Sequence, residues 1–187
     1  MGRGETLKKI LVLLADGFEE SEMIVPVDVL RRAQFQVDLM SISSRDVLSS
    51  HGIRITADRT YSDDSSYDAL FLPGGQPGTR NLMADDRVLA LIRRYDHEGK
   101  IVSAICAAPA VLAKAGILKG KNVTSYPLDD AESIFSMAHY HLDEVVIDGR
   151  LITSRGVGTV FPFAYALAHA LGADSESLKR VMIYSAK

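Results

Sequence analysis

The one cysteine of the chain, Cys106, stands where a thiol can do chemistry. It lies in "KIVSAICAAPAVLAKAG", residues 100–116, at the end of the apolar run 101–105, with a small-residue segment of helical spacing following at once. An apolar strand that turns directly into a helix puts the intervening residue on a sharp elbow, its side chain above the sheet and the next backbone N–H groups pointing at it. A helix N-terminus favours negative charge and lowers a thiol pKa, and the same N–H groups can hold an oxyanion on a bound substrate. The local pattern equally admits a small buried hydrophobe, the commonest role of free cysteine.

Two further stretches carry groups that such a thiol would need. In "LPGG" (72–75), Pro73-Gly74-Gly75 follows a strand-like run and lets the backbone approach a ligand closely, so the Gly75 N–H is a candidate second oxyanion donor; a plain tight turn reads the same. "ADGFEESE" (15–22) supplies Asp16, Glu19, Glu20 and Glu22. An acidic helix start is favoured by the helix dipole whatever its function. Glu22 is singled out because Pro26 cannot donate to its carbonyl, which loosens the first turns of a helix beginning near Ser21.

Elements to hold these groups follow from the hydropathy pattern. The runs 8–15, 36–42, 68–75 and 100–106 read as strands closed by Pro, Gly or Asp. Between them, 86–97 reads as a helix with Val88, Leu91, Ile92 and Tyr95 on one face and Gly99 as its stop. A second helix is expected over 108–115, with Ala108, Val111, Leu112 and Ala115 on one stripe, Pro109 in the first turn and Gly116 after the end. A strand at 123–126, a hairpin over 144–154 turning at Asp148-Gly149, and helices near 159–171 and 175–185 complete the pattern, while 52–61 reads as an edge strand or hairpin. This alternation predicts one α/β domain over residues 1–187, a doubly wound sandwich whose mainly parallel central sheet lies between two helical layers. Functional groups belong at the carboxyl ends of its strands.

Composition narrows the function classes. A net charge of -3 with no Lys/Arg cluster gives nucleic acid or an anionic membrane little to grip. Runs such as "ILVLLA" are too short to span a bilayer, and "MGRGETLKKI" has no signal-peptide pattern, so a cytoplasmic location is expected. One cysteine makes neither an intramolecular disulfide nor a zinc knuckle, so any special use of Cys106 is chemical. His139 and His141 in "AHYH" form a possible metal pair or simply decorate a loop.

Taken in order, "GFEESEMIVPVDVLRRA" (17–33), "YDALFLPGG" (67–75), "IVSAICAAPAVLA" (101–113) and "DGRLITSRGVGT" (148–159) resemble the ThiJ/PfpI family of the class-I glutamine-amidotransferase-like superfamily. The likeness is greatest to the branch that holds Parkinson disease protein 7 and its bacterial relatives. The resemblance implies a flavodoxin-like three-layer sandwich, no required metal or organic cofactor, and a homodimer packed partly through the first helix. It also implies a nucleophile at Cys106, a carboxylic acid partner at Glu22 and oxyanion donors at Gly75 and Ala107. Glu19, Gly74, Tyr126, Pro127, His51, Arg155 and Val157 would form the substrate pocket. The chain departs from the family at several of these places. Protease-like members carry histidine directly after the cysteine; here Ala107 stands there, so a Cys–His pair lacks its base and peptidase activity is disfavoured. Tyr126 replaces a histidine, His51 an arginine and Val157 a proline of the human-type relatives.

Such a set of groups suits 2-oxoaldehydes. Thiolate addition gives a hemithioacetal whose oxyanion needs two N–H donors, and an adjacent carboxyl can shuttle protons between neighbouring carbons. The product is a 2-hydroxy acid, and the same groups could release a glycated amine, the deglycase activity. A different class of function uses the thiol without turnover, as a peroxide-responsive sensor or stress chaperone oxidised through sulfenic to sulfinic acid. A non-enzymatic small-molecule binding module rests on fold analogy alone.

Overall fold

The computed structural model describes residues 7–185. Its elements are β1 (Lys9–Leu14), α1 (Glu20–Arg32), β2 (Gln36–Ser41), β3 (Asp46–Leu48), β4 (Arg54–Thr56), β5 (Arg59–Thr60) and β6 (Ala69–Leu72). Then come α2 (Gln76–Ala84), α3 (Asp86–His97), β7 (Ile101–Ile105), α4 (Pro109–Ala115), β8 (Asn122–Val123), α5 (Ala131–Ile134), β9 (His139–Tyr140), β10 (Val145–Asp148) and β11 (Leu151–Ser154). A 3-10 turn (Val157–Thr159), α6 (Val160–Ala170) and α7 (Ser175–Val181) close the chain.

Seven strands form the central sheet in the order β10-β11-β7-β6-β1-β2-β5. Every neighbour pair is parallel except the β10–β11 hairpin, so the sheet is mainly parallel as the alternation predicts. β1 shows why such strands read as unbroken apolar runs. Ile10, Val12 and Leu14 face a core shared with Val27, Val29 and Leu30 of α1 and Phe163, Ala164 and Leu167 of α6. Leu11 and Leu13 face the opposite core, with Leu91, Ile92 and Tyr95 of α3 and Val111 and Leu112 of α4. Helices on both faces of one sheet make the flavodoxin-like three-layer sandwich.

The chain runs from β1 to β2 on one side and then crosses to β6, β7 and β11 on the other. The crevice at this reversal of strand order lies outside the carboxyl ends of β1 and β6, where α/β sheets hold ligands.

Several local expectations are corrected. α2 has no counterpart in the sequence reading, because Pro77 and Gly78 look like a loop; proline is tolerated in a first helical turn, and Gly75 is the N-cap. The expected strand at 123–126 shortens to β8, which pairs with β9 in a separate two-stranded sheet instead of joining the main one. "AHYH" therefore forms part of a strand and its exit, with His141 bonded to Asn122 at 2.7 Å. The segment 52–61 divides: β4 pairs antiparallel with β3, and β5 joins the sheet edge beside β2. The hairpin loop is Gly149-Arg150, one residue later than expected, with Gly149 at φ 61.

Candidate active site

Three strand exits converge at the crevice. β1 leads to Glu19 and α1, β6 leads to Gly74-Gly75, and β7 leads to Cys106. The first two loops are stitched together by backbone bonds, with the Glu19 N–H donating to the Gly74 carbonyl at 2.8 Å and the Gly78 N–H to the Gly17 carbonyl at 3.0 Å. Gly75 has φ 93, and a Cβ there would come within 2.6 Å of the Glu19 nitrogen, so only glycine lets the two loops lie this close.

Cys106 is the elbow. Its φ is 64, a left-handed conformation that costs a non-glycine residue roughly 1–3 kcal/mol and persists only where the surroundings impose it. They do so through two bonds: the Cys106 N–H donates to the Ser154 carbonyl at 2.9 Å, and its carbonyl accepts from the Tyr126 N–H at 2.8 Å. The thiol is partly buried, and the backbone amides of Gly75 and Ala107 are near enough to favour its charged form.

Glu22, in the first turn of α1, is completely buried. The Gly74 N–H donates to its Oε2 at 3.0 Å. Its Oε1 completes no hydrogen bond and lies beside the Cys106 thiol. Gly74 is the floor between them, since a Cβ there would sit 2.5 Å from Glu22 Oε2 and 2.6 Å from Cys106 Cβ. Burial pushes the Glu22 carboxyl up to about 7, against the pull of the thiol and the Gly74 amide. Burial, and then the charge of an ionised Glu22, pushes the Cys106 thiol up to about 12, against the pull of the Gly75 and Ala107 amides. A thiol lowered outright by its helix terminus is thus not what this environment gives. The two groups titrate as a pair that gives up its first proton near neutrality and resists losing the second.

The remaining expected residues divide. Gly74 and Glu19 belong to the crevice as described. Tyr126 is half exposed, and its ring edge, the thiol and the carboxyl all border Gly156: a Cβ on Gly156 would be 3.8 Å from Tyr126 Cδ2, 3.8 Å from Cys106 Sγ and 3.7 Å from Glu22 Oε1. Val157, also half exposed, follows Gly156 at the start of the 3-10 turn. Pro127 is exposed on the turn after Tyr126. The exposed Arg155 directs its guanidinium to the Leu142 carbonyl at 3.1 Å, bracing that loop. His51 is bound by the carboxylates of Glu19 and Glu20. Burial raises Glu20, but its own backbone amide, Ser49 and His51 outweigh that and hold it below the ordinary carboxylate range. Gly156 and Ser154 were missed by the sequence reading; their signal was "TSRG" directly after a strand, a glycine where backbone passes close to a functional group.

Comparison with known proteins places these features in context. A sequence profile of the DJ-1/PfpI family matches residues 8–170. "Protein dj-1beta" of Drosophila melanogaster is 38% identical over 177 residues, covering 93% of this chain and 94% of that protein. "Deglycase PH1704" of Pyrococcus horikoshii is 33% identical over 149 residues, covering 79% of this chain and 89% of that protein. Among solved structures, a cysteine-to-alanine mutant of a DJ-1 superfamily protein from Salmonella typhimurium superposes with a TM-score of 0.90 at 38% identity, covering 96% of this chain and all of the other.

Proposed function

The chain belongs to the DJ-1/PfpI family, and from that premise we propose that it is a cysteine-dependent glyoxalase or deglycase, needing no cofactor, that acts on 2-oxoaldehydes such as methylglyoxal or their early glycation adducts. The observation that carries this reading is the buried Glu22 carboxyl beside the Cys106 thiol, with the Gly75 and Ala107 amides close enough to favour a charge on sulfur. The relative named as a deglycase supports the same class of chemistry.

The pair shares one negative charge near neutral pH. The neighbouring amides favour that charge on sulfur when Glu22 holds the proton. The thiolate adds to the aldehyde carbon, forming a C–S bond while the carbonyl electrons move to oxygen. The Gly75 and Ala107 N–H groups, freed from the sulfur, stabilise that oxyanion. Glu22 gives its proton to that oxyanion, and the carboxylate so formed takes the proton from the former aldehyde carbon and returns it to the neighbouring ketone carbon, while the new hydroxyl proton passes to the ketone oxygen. The resulting thioester is hydrolysed by water, releasing a 2-hydroxy acid and the thiol. Tyr126 and Val157 border the mouth of the pocket.

A homodimer belongs to this reading. Ile24 on α1 and Leu48 and Ile53 in the β3–β4 region are each more than two-fifths exposed, an apolar surface that a second copy would cover. A cytoplasmic location rests on the sequence pattern; no helix among the described residues is long and apolar enough to cross a membrane.

The test is turnover. Methylglyoxal consumed over many cycles, with a 2-hydroxy acid as product and no activity in Cys106→Ser, supports the enzyme. Stoichiometric peroxide uptake at Cys106 without aldehyde turnover supports a redox sensor instead.

A further inference from the structure

The side chains of Glu19, Glu20 and His51 converge at the mouth of the crevice, each offering a ligand atom, all within 4.8 Å of one another. We propose that this triad is a divalent-cation site of the zinc class, independent of the thiol chemistry. His51 Nδ1 lies 3.3 Å from Glu19 Oε2 and 2.9 Å from Glu20 Oε1. A tetrahedral ion with bonds of 2.0–2.1 Å to imidazole and carboxylate has ligand-to-ligand edges of about 3.3 Å. Of the three edges, His51–Glu19 already has that length, His51–Glu20 needs to widen by a few tenths of an ångström, and Glu19–Glu20 lies within the 4.8 Å that encloses the set.

A mixed set of two carboxylates and one imidazole is chemistry that zinc accepts, whereas calcium and magnesium favour oxygen alone. The second observation concerns Glu20 itself. Its side chain is nine-tenths buried, its Oε1 is aimed into the cluster, and its Oε2 is screened from solvent without a hydrogen-bond partner. The Ser49 hydroxyl lies near the carboxylate without completing a bond to that oxygen. An orphaned carboxylate oxygen is costly, and a cation held by Oε1 offsets the charge of the buried carboxylate and lowers that cost.

The backbone holds the three ligands in place before any ion arrives. Glu19 caps α1 and Glu20 is its first residue, so both are fixed by the helix start. His51 sits on a turn closed by the Ser49 N–H to the Ile53 carbonyl at 2.9 Å and tied to the β1 exit by the Ser50 N–H to the Phe18 carbonyl at 2.8 Å. The His51 side chain is 71% exposed in the single chain, which leaves a fourth position open to water.

Equilibrium dialysis of the full chain against micromolar zinc chloride, with metal and protein measured on the same samples, tests the site. One zinc per chain is expected in the unmutated protein and in Cys106→Ala, with binding at least 10-fold weaker in His51→Ala and in Glu20→Gln. His51 is exposed in the single chain but lies between Leu48 and Ile53 of the proposed dimer surface, so a thermal melt and sedimentation check both His51→Ala and Glu20→Gln. Zinc retained in His51→Ala, zinc lost in Cys106→Ala, zinc lost instead in His141→Ala, or no zinc bound by the unmutated protein would each overturn the proposal.

Discussion

Glu22 gives one carboxyl oxygen to the Gly74 amide, 3.0 Å away, and turns the other toward the thiol of Cys106. The arrangement holds two acids in one dry pocket with amide donors for both, so a single charge is stable there and a double charge is not. That relationship sets the pH behaviour of the proposed enzyme.

Cysteine reactivity should follow the pair. The iodoacetamide alkylation rate is expected to rise through the first ionisation, near pH 7, and then to level off, because the second proton leaves only at about 12. A rate that climbs steadily to pH 10 with a midpoint at the free thiol value of about 8.5 would show that the two groups do not share a proton.

Stability should carry the same signature. The Glu22 carboxyl is raised from 4.5 to about 7 on folding, so the folded chain holds this proton more tightly than the unfolded one. Its contribution is fully present below pH 4.5 and is lost as pH rises to about 7, a decline of roughly 3 kcal/mol at most. Urea midpoints at pH 5 and pH 8 should show Glu22→Gln losing much less stability over that interval than the unmutated protein. Equal losses would contradict the raised carboxyl.

Gly74→Ala tests the floor of the site. The added methyl would meet Glu22 Oε2 at 2.5 Å and Cys106 Cβ at 2.6 Å. Overpacking of this kind costs about 1–3 kcal/mol, and aldehyde turnover should fall at least 10-fold as the pair is pushed apart. Thermal melts and kcat/KM measure both.

Much of this was legible in the sequence, for identifiable reasons. β1, β7 and α3 have complete apolar patterns because each is buried over a whole face or on both sides. Cys106 could be placed on an elbow because no polar linker separates its strand from its helix. What was not legible depends on contacts between distant segments. α2 is hidden because Pro77 and Gly78 signal a loop, although Gly78 serves there to let the helix lie against Phe18, where a Cβ would come within 2.7 Å of the backbone nitrogen. Residues 123–126, "VTSY", have strand-like composition, yet the Thr124 N–H bonds the Thr153 hydroxyl at 3.0 Å and the chain leaves strand geometry. Gly156 acquires meaning only when β11 lies beside β7 and brings it over the thiol. The direction of the thiol shift was misjudged because burial and the neighbouring carboxyl act against the amides, and burial cannot be read from "ICAAP".

Tyr126 should govern access. Because the Tyr126 ring borders Gly156, as the thiol does, Tyr126→Ala opens the mouth of the pocket. KM for an aryl 2-oxoaldehyde such as phenylglyoxal is expected to rise more than KM for methylglyoxal, with kcat and iodoacetamide reactivity little changed. Identical effects on both substrates would remove Tyr126 from the pocket.

Association is testable by sedimentation. The chain of 20.4 kDa should run at twice that mass at micromolar concentration, and Ile24→Asp, which puts a charge on the exposed face of α1, should shift it toward monomer. A monomeric unmutated chain would refute the dimer.

The most direct test of the central claim uses Glu22→Gln, which keeps the shape and the acceptor for Gly74 but cannot move a proton. The measurement is methylglyoxal turnover relative to iodoacetamide reactivity, taken on the same preparations of variant and unmutated protein. The account predicts a thiol that still alkylates readily while kcat falls at least 100-fold. Turnover undiminished in Glu22→Gln would show that the carboxyl beside Cys106 is not the proton carrier, and the proposed mechanism would be wrong.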